Sequence, residues 1–361
     1  MKIVIIGFWT FPKKTPRAFR TWNLAKGFAE KGHDVTLYAY TGGKNYDIET
    51  KGLFKVKNLG DNLSWGSSSI TEKSYSIFKR LLIKLAGGMQ IYPYKKCYPH
   101  IKNALQQEGE IDMLVSVAYP HTVHWAVEKY IDRKKVGTWI ADCGDPFMGN
   151  PFHKERAYLE KVERAWCDKV DAIAIPIKEG IPAYYPEYKE KIKIIPQGFE
   201  VDNVDIAEYT KNEIPTFCFA GTVYPGQRDP RKFLEYIYKE NVKIRFVIYS
   251  KCEVFEEFQK LMPDKIEIRE FVEREVLIKE MSKMDFLINI KNLNGVQAPS
   301  KLIDYALSKR PILDISTHFT DEENNNFNMF LKGDYSNKLE DIDISQYSIN
   351  TVCDAFINIV K

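Results

Sequence analysis

No Cys-x-x-Cys pair occurs in this 361-residue chain; its six cysteines (Cys97, Cys143, Cys167, Cys218, Cys252 and Cys353) lie far apart. A disulfide framework or a zinc knuckle needs clustered spacing, so these residues read as small apolar core groups in a reducing compartment. No apolar run reaches the ~18 residues of a membrane span. The opening Met1-Lys2 and Ile3–Ile6 start like a signal peptide, but the run stops at Gly7–Trp9 without a cleavage pattern. A first buried strand of a cytoplasmic protein is the expectation. Nucleotide-binding glycine loops are missing too. The loop Gly7-Phe8-Trp9-Thr10-Phe11-Pro12 lacks GxGxxG, and GxxxxGKS/T occurs nowhere. Neither a dinucleotide-dependent dehydrogenase nor a P-loop NTPase is supported. A formal net charge of only +3 gives no reason to expect nucleic acid.

What is present is an ordinary globular composition, 44% hydrophobic and 28% charged. The length predicts two domains, because single cores rarely grow beyond roughly 250 residues. Ile3–Ile6 is a continuous apolar run suited to a strand covered on both faces. A loop to Pro16, a helical pattern over Arg17–Glu30 and a strand Val35–Tyr38 follow. The alternation continues through Met113–Val117, a helix His121–Tyr130, Thr138–Ile140, a helix Lys154–Val170, and strands at Ala172–Pro176 and Lys193–Pro196. Val201–Pro215 is polar and acidic, and marks a boundary. A second series begins at Thr216–Gly221 and runs through Ile312–Ile315, with Asn324–Asn326 a small polar knot. The expected division is 1–205, 213–343 and a C-terminal amphipathic helix over 344–361, able to cross back. Two doubly wound units in succession set two crevices face to face, and ligands of such sheets sit beyond the carboxyl ends of the strands.

Candidate residues follow from that geometry. Asp142 and Asp145, in Ala141–Phe147 after a strand, either orient a substrate hydroxyl and steady a developing charge or shape an Asx-type turn before Pro146. Gly221, Thr222, Tyr224 and Arg228 lie in a strand-to-helix loop whose amides and cations (Arg228, Arg231, Lys232) suit an anion; the plainer reading is a solvated basic loop. Ser300 opens a helix, Lys301 adds a charge to its positive end, and a diphosphate fits there. Asp304, one turn on, either accepts from ribose hydroxyls or compensates the helix dipole. His121 and His124 stand three apart without a nearby Cys or His cluster in sequence, so no metal site is expected. Across Trp65–Lys102, seven cations face the single acid Glu72; Ile77, Phe78, Leu81, Leu82 and Leu85 share a helical face. That segment fits an anionic membrane surface or a core-facing helix with a basic outer side.

Together these segments resemble glycosyltransferase family 4, of the bacterial surface-polysaccharide type. Arg17–Arg20 through Gly32–Val35 is similar to its first loop, helix and strand. Ala118-Tyr119-Pro120-His121 is similar to its next loop. Asp142–Phe147 is similar to its D-x-R-D-P-W stretch, with Gly144 for Arg and Phe147 for Trp. Ile195–Phe199 resembles P-N-G-F-D, and Pro299–Tyr305 resembles P-S-K-L-F-E-Y, with Asp304 for the Glu. Val296 stands where the family's E-x7-E pair has its first acid, so Asn292, Asn294 or Gln297 is left to fill that role.

The resemblance implies a GT-B fold of two facing Rossmann-like domains, without cofactor or metal. It implies transfer from a UDP- or GDP-sugar to a glycan or lipid-linked acceptor, with retention, in polysaccharide biosynthesis, at the inner face of the membrane. Asp142, Asp145, Arg228 and Lys301 would be catalytic. Gly221, Thr222, Tyr224, Asn292, Ser300 and Asp304 would complete the donor site, with Thr10, Arg17, Tyr119 and His121 on the acceptor side. A nucleotide-sugar epimerase or a non-catalytic nucleotide-binding subunit would use the same scaffold. Asp341-Ile342-Asp343 is the sole DxD, in a late polar loop, which argues against a metal-dependent GT-A mechanism.

Overall fold

Short apolar runs rich in Ile, Val and Phe become parallel strands, because such residues pack on pleated surfaces covered from both sides. The computed structural model describes residues 1–60, 93–150, 155–201, 204–224, 226–240, 242–291 and 300–360. The chain forms two compact units, Met1–Glu200 with Gln346–Lys361, and Val201–Ser345.

In the first unit, strands β1 (Lys2–Gly7), β2 (Asp34–Ala39), β3 (Lys55–Asn58), β4 (Ile111–Ala118), β5 (Val136–Cys143), β6 (Ala172–Ile175) and β7 (Ile192–Ile194) build one sheet. Its order is β3-β2-β1-β4-β5-β6-β7, with every neighbouring pair parallel. The winding reverses between β1 and β4, where an open α/β sheet leaves its ligand crevice. Helix α1 (Pro16–Glu30) starts at Thr15, whose hydroxyl accepts from the Ala18 amide at 3.3 Å, with Pro16 pre-set for the first turn. It buries Leu24, Ala25 and Phe28 against Ile3, Ile5, Val35 and Leu37. A single turn α2 (Asp47–Thr50), then α3 (Cys97–Gln107), α4 (Thr122–Tyr130) and α5 (Leu159–Lys169) complete this part.

The second unit has the sheet order β10-β9-β8-β11-β12, all parallel, from β8 (Thr216–Ala220), β9 (Arg245–Tyr249), β10 (Ile266–Ile268), β11 (Phe286–Ile290) and β12 (Ile312–Ile315). Its reversal falls between β8 and β11. Helices α6 (Arg231–Lys239), α7 (Glu253–Leu261), α8 (Arg274–Ser282), α9 (Ser300–Leu307) and α10 (Asp321–Leu331) surround a core dominated by phenylalanine. Phe217 stacks on Phe246 and Phe286, with ring centroids 4.6 and 4.8 Å apart. The 201–215 stretch belongs to this unit: the Tyr209 hydroxyl donates to Asp285 at 2.7 Å and Ala207 N to Ser282 at 2.9 Å.

The chain's end returns to the first unit. A 3-10 turn, Ile344–Tyr347, precedes α11 (Ile349–Ile357), which lays Ile349, Val352, Cys353 and Phe356 into the core beside α1. The Phe356 ring meets Phe28 edge-on at 6.0 Å and lies 5.3 Å from the Arg20 guanidinium.

Several local expectations change. The tail is not one helix, since the 3-10 turn ends where Ser348 bridges Phe199. The polar knot Asn324–Asn326 lies inside α10, which the Thr320–Glu323 capping box starts. The expected helix Lys154–Val170 begins at Leu159 and ends at Lys169. Of the basic 65–102 segment, residues 65–92 lie outside the described residues; 93–102 form a 3-10 turn and the start of α3.

Phe356→Ala is expected to cost about 3–5 kcal/mol of first-unit stability, the usual range for truncating a fully buried aromatic. Urea unfolding followed by the tryptophan fluorescence of that unit measures it. A loss below about 1 kcal/mol would mean that α11 contributes little to the core.

Candidate functional site

At the carboxyl edge of the first sheet, the two acids of the 141–147 segment part company. Asp142 closes β5 and is 2% exposed. Arg20, also 2% exposed, donates to it from Nε (3.1 and 3.3 Å) and Nη2 (2.7 Å), and from Nη1 to Pro196 O at 2.7 Å. Asp142 is thus half of a buried ion pair tying α1 to β5 and to the turn after β7. Asp145 is exposed and, with Tyr119, His121, Trp125 and Phe147, lines a cavity of about 240 Å³. The sequence contained a signal for Arg20: it shares a four-residue spacing with Leu24 and Phe28, and a cation on an apolar helix face must be paired.

Arg17 lies at the same edge. Its guanidinium is 3.6 Å from Asp142 and donates to Ala118 O (3.4 Å) and to Gln197 Oε1 (3.3 Å). It also explains Gly144. A Cβ there would lie 2.5 Å from both terminal nitrogens of Arg17.

His121 is buried, with its ring 5.2 Å from Phe147 and its Nδ1 without a partner among the described residues. Burial first, and then the charge of Arg17, push its pKa down to about 4, so it is neutral at pH 7. His124 is fully buried behind it. The fold supplies what the sequence did not show, a cysteine: ligand-type atoms of His121, His124 and Cys143 lie within 4.8 Å of one another. A hydrogen-bond relay accounts for two of the three. The Trp139 indole can only donate, and does so to Ser116 Oγ at 2.8 Å; Ser116 then donates to His124 Nδ1 at 2.8 Å. The tautomer satisfying every partner carries its proton on Nε2, which faces Cys143 Sγ at 3.4 Å. That proton occupies the lone pair a metal would need.

Glu163, unnoticed in the sequence, is a buried acid whose pKa rises to about 7, chiefly through burial. It accepts from Tyr185 Oη at 3.0 Å and Met148 N at 3.5 Å, holding the 146–150 loop onto α5.

In the second unit, the loop after β8 closes on itself. Arg228 N donates to Tyr224 O at 2.8 Å and Tyr224 N to Arg228 O at 3.2 Å, and Gly226 sits at φ +75°, a region costly for other residues. The loop returns Arg228 to the reversal point of the sheet, where it donates to Ile290 O (2.6 Å) and Asn289 Oδ1 (3.4 Å). No carboxylate among the described residues is within ion-pair distance of it, and burial lowers its pKa. Tyr305 braces the same edge, its buried hydroxyl accepting from Ala220 N at 2.8 Å.

Gly221 is buried beside this turn; Thr222 and Tyr224 are exposed. Asp304, on α9, is buried and receives Arg274 Nε on Oδ1 at 2.7 Å and Lys301 Nζ on Oδ2 at 3.4 Å. Arg274 is a third residue that sequence reading missed, after Arg20 and Glu163, since nothing in Glu273-Arg274-Glu275 links it to a position thirty residues on. Asn292 and the side chain of Ser300 fall outside the described residues. The DxD acids serve local pairs, Asp341 with Lys338 and Asp343 with Ser345.

No family model matches the sequence, and no curated protein matches it either. Solved structures do. HepE of Anabaena in complex with UDP aligns with a TM-score of 0.65 at 9% identity, covering 99% of each chain. The lipopolysaccharide outer core galactosyltransferase WaaB, in its apo form, aligns at 0.59 and 12% identity, covering 100% of this chain and 99% of that one. The catalytic domain of starch synthase IV from Arabidopsis thaliana, bound to ADP and acarbose, aligns at 0.61 and 10% identity, covering 100% and 99%. The fold is GT-B. Its two Rossmann-like units account for both sheet reversals, and a GT-B chain presents one carboxyl edge per unit.

Two measurements test these assignments. Asp142→Asn should destabilise the first unit by about 3–5 kcal/mol, because it leaves Arg20 buried against a neutral amide; chemical unfolding reads this, and unchanged stability would mean the pair is not structural. Glu163 keeps its proton in the folded state while the unfolded chain ionises near 4.5, so it lowers stability progressively from pH 4.5 to about 7 and by a constant amount above. Glu163→Gln should flatten that part of the stability profile, measured as melting temperature against pH.

Proposed function

We propose that this chain is a glycosyltransferase that moves a sugar from a UDP- or GDP-sugar to a glycan or lipid-linked saccharide in polysaccharide biosynthesis. The observation that carries this reading is Arg228: a half-buried guanidinium at the reversal point of the second sheet, braced by Ile290 O and Asn289, without a carboxylate partner among the described residues. Such a group stabilises a departing nucleoside diphosphate, the species on which negative charge grows as the glycosidic bond breaks. Lys301, in the first turn of α9, adds a second positive charge. Asp304 is oriented by Arg274 and Lys301, and a carboxylate with one partner on each oxygen retains lone pairs for the ribose hydroxyls. HepE, similar over its whole length, was solved with UDP and, separately, with UDP-glucose, which supports a nucleotide-sugar donor.

In this reading the first unit takes the acceptor, in the cavity lined by Tyr119, His121 and Asp145. The enzyme is a metal-independent, retaining member of glycosyltransferase family 4, working at the cytoplasmic face of the membrane. Leaving-group stabilisation by two fixed cations supports metal independence, since it supplies the charge that a divalent ion otherwise brings. One observation favours a non-catalytic nucleotide-binding subunit: Asp142, the acid at the family's conserved-pattern position, is consumed by Arg20. Release of nucleotide from a sugar donor separates the two readings, and release without any acceptor would indicate an epimerase or hydrolase.

Arg228→Ala and Lys301→Ala should each weaken UDP or GDP binding by tenfold or more, about 1.4 kcal/mol, with the melting temperature held. Titration calorimetry measures it. Wild-type affinity in both variants would overturn the donor site.

A further inference from the structure

The first unit holds more positive charge at its carboxyl edge than its buried acid neutralises. Arg17 and Arg20 share Asp142, and Arg20 takes it through three short contacts while Arg17 stands 3.6 Å away. Arg17 spends its donors on two neutral oxygens, Ala118 O and Gln197 Oε1. Its remaining carboxylate neighbour, Asp145, is exposed and screened by water. A guanidinium presents five N–H groups in a fixed fork suited to carboxylate or phosphate.

Three buried polar atoms of this edge lack partners among the described residues: Thr10 Oγ1, His121 Nδ1 and Gln197 Nε2. Thr10 is 4% and His121 7% exposed, so water scarcely reaches either side chain. Buried polar groups left unmatched are the exception in folded proteins and ask for an explanation. Gln197 is in direct contact with Arg17, and Thr10 and His121 follow β1 and β4, the two strands flanking the reversal point. Gly144 adds the clearance, since any side chain there would displace the guanidinium.

We propose that this edge is a subsite for an oxyanion carried on a hydroxylated ligand, Arg17 holding the anion while Thr10, His121 and Gln197 pair with the surrounding oxygens. Resting on the reading of the first unit as the acceptor side, the ligand is an anionic saccharide or polyol acceptor, its oxyanion a carboxylate or a phosphate. A neutral sugar would leave the cation uncompensated.

Calorimetry on the full chain, saturated with UDP, tests this with three probes: methyl glucuronide, glycerol phosphate and neutral methyl glucoside. One of the two anions should bind at least tenfold more tightly than the glucoside, with affinity falling as salt rises; which of them does so identifies the oxyanion. Arg17→Gln should remove that preference and leave UDP affinity unchanged. If Arg17→Gln melts at a markedly lower temperature, Gly144→Ala replaces it, because its methyl forces the guanidinium aside without removing its charge; a severalfold loss of anion affinity is expected. Equal binding of glucoside and anions, no binding of either anion, or unchanged anion affinity in the variants would overturn the subsite. Failure of wild-type UDP binding would instead strike the donor reading, so the two failures are distinguishable.

Discussion

Arg20 places a guanidinium where almost no water reaches it, and the first unit is organised around that fact. Desolvating a guanidinium costs several kcal/mol unless a carboxylate and hydrogen-bond acceptors replace the water. Asp142 supplies the carboxylate from the end of β5, and Pro196 O a further acceptor from the turn after β7. Phe356, from the far end of the chain, lies against the same guanidinium. Helix α1, two strand ends and the returning tail are therefore fixed relative to each other by one side chain. The loops that line the neighbouring cavity start from this fixed frame.

Much of the fold is legible in the sequence because parallel strands announce themselves as continuous apolar runs, and Ile3–Ile6 or Phe286–Ile290 have no other plausible use. Weak elements escape. Strand β3, Lys-Val-Lys-Asn, carries one apolar residue because it is an edge strand, half of whose surface needs no burial. The Asn324–Asn326 helix is started by a cap rather than by periodicity. The site is less legible than the fold for a physical reason. Asp142 and Asp145 are three residues apart and chemically alike, but one ends a buried strand and the other opens a turn. Only the partner, Arg20, 122 residues away, tells them apart.

The two units share a topology and differ in how they treat charge. At the reversal point of the second sheet, Arg228 is braced by a backbone carbonyl and an amide oxygen, both neutral, so its charge stays available. In the first unit Arg20 spends its charge on Asp142 while Arg17 is braced by two neutral oxygens, and the cavity wall joins aromatic rings and Asp145 to an imidazole held neutral by burial and by Arg17. A diphosphate suits the former; a hydroxylated ligand carrying one oxyanion suits the latter. The difference between the two edges is electrostatic, and it is set by the partners each arginine finds.

Gly144 is where position in the sequence and position in space give different answers. The D-x-R-D-P-W pattern has an arginine there, and its loss reads, by alignment, as a missing cation. In space the cation is not missing. The Arg17 guanidinium fills the volume into which a side chain at 144 would project, with both terminal nitrogens 2.5 Å from where its Cβ would be. Glycine at 144 is then the condition for Arg17 being there. The two positions are coupled sterically, since an arginine at 144 beside Arg17 would crowd two guanidinium groups around one acid already held by a third. Read residue by residue, the loop makes the first unit look poorer in chemistry than its geometry is, because its cation comes from α1.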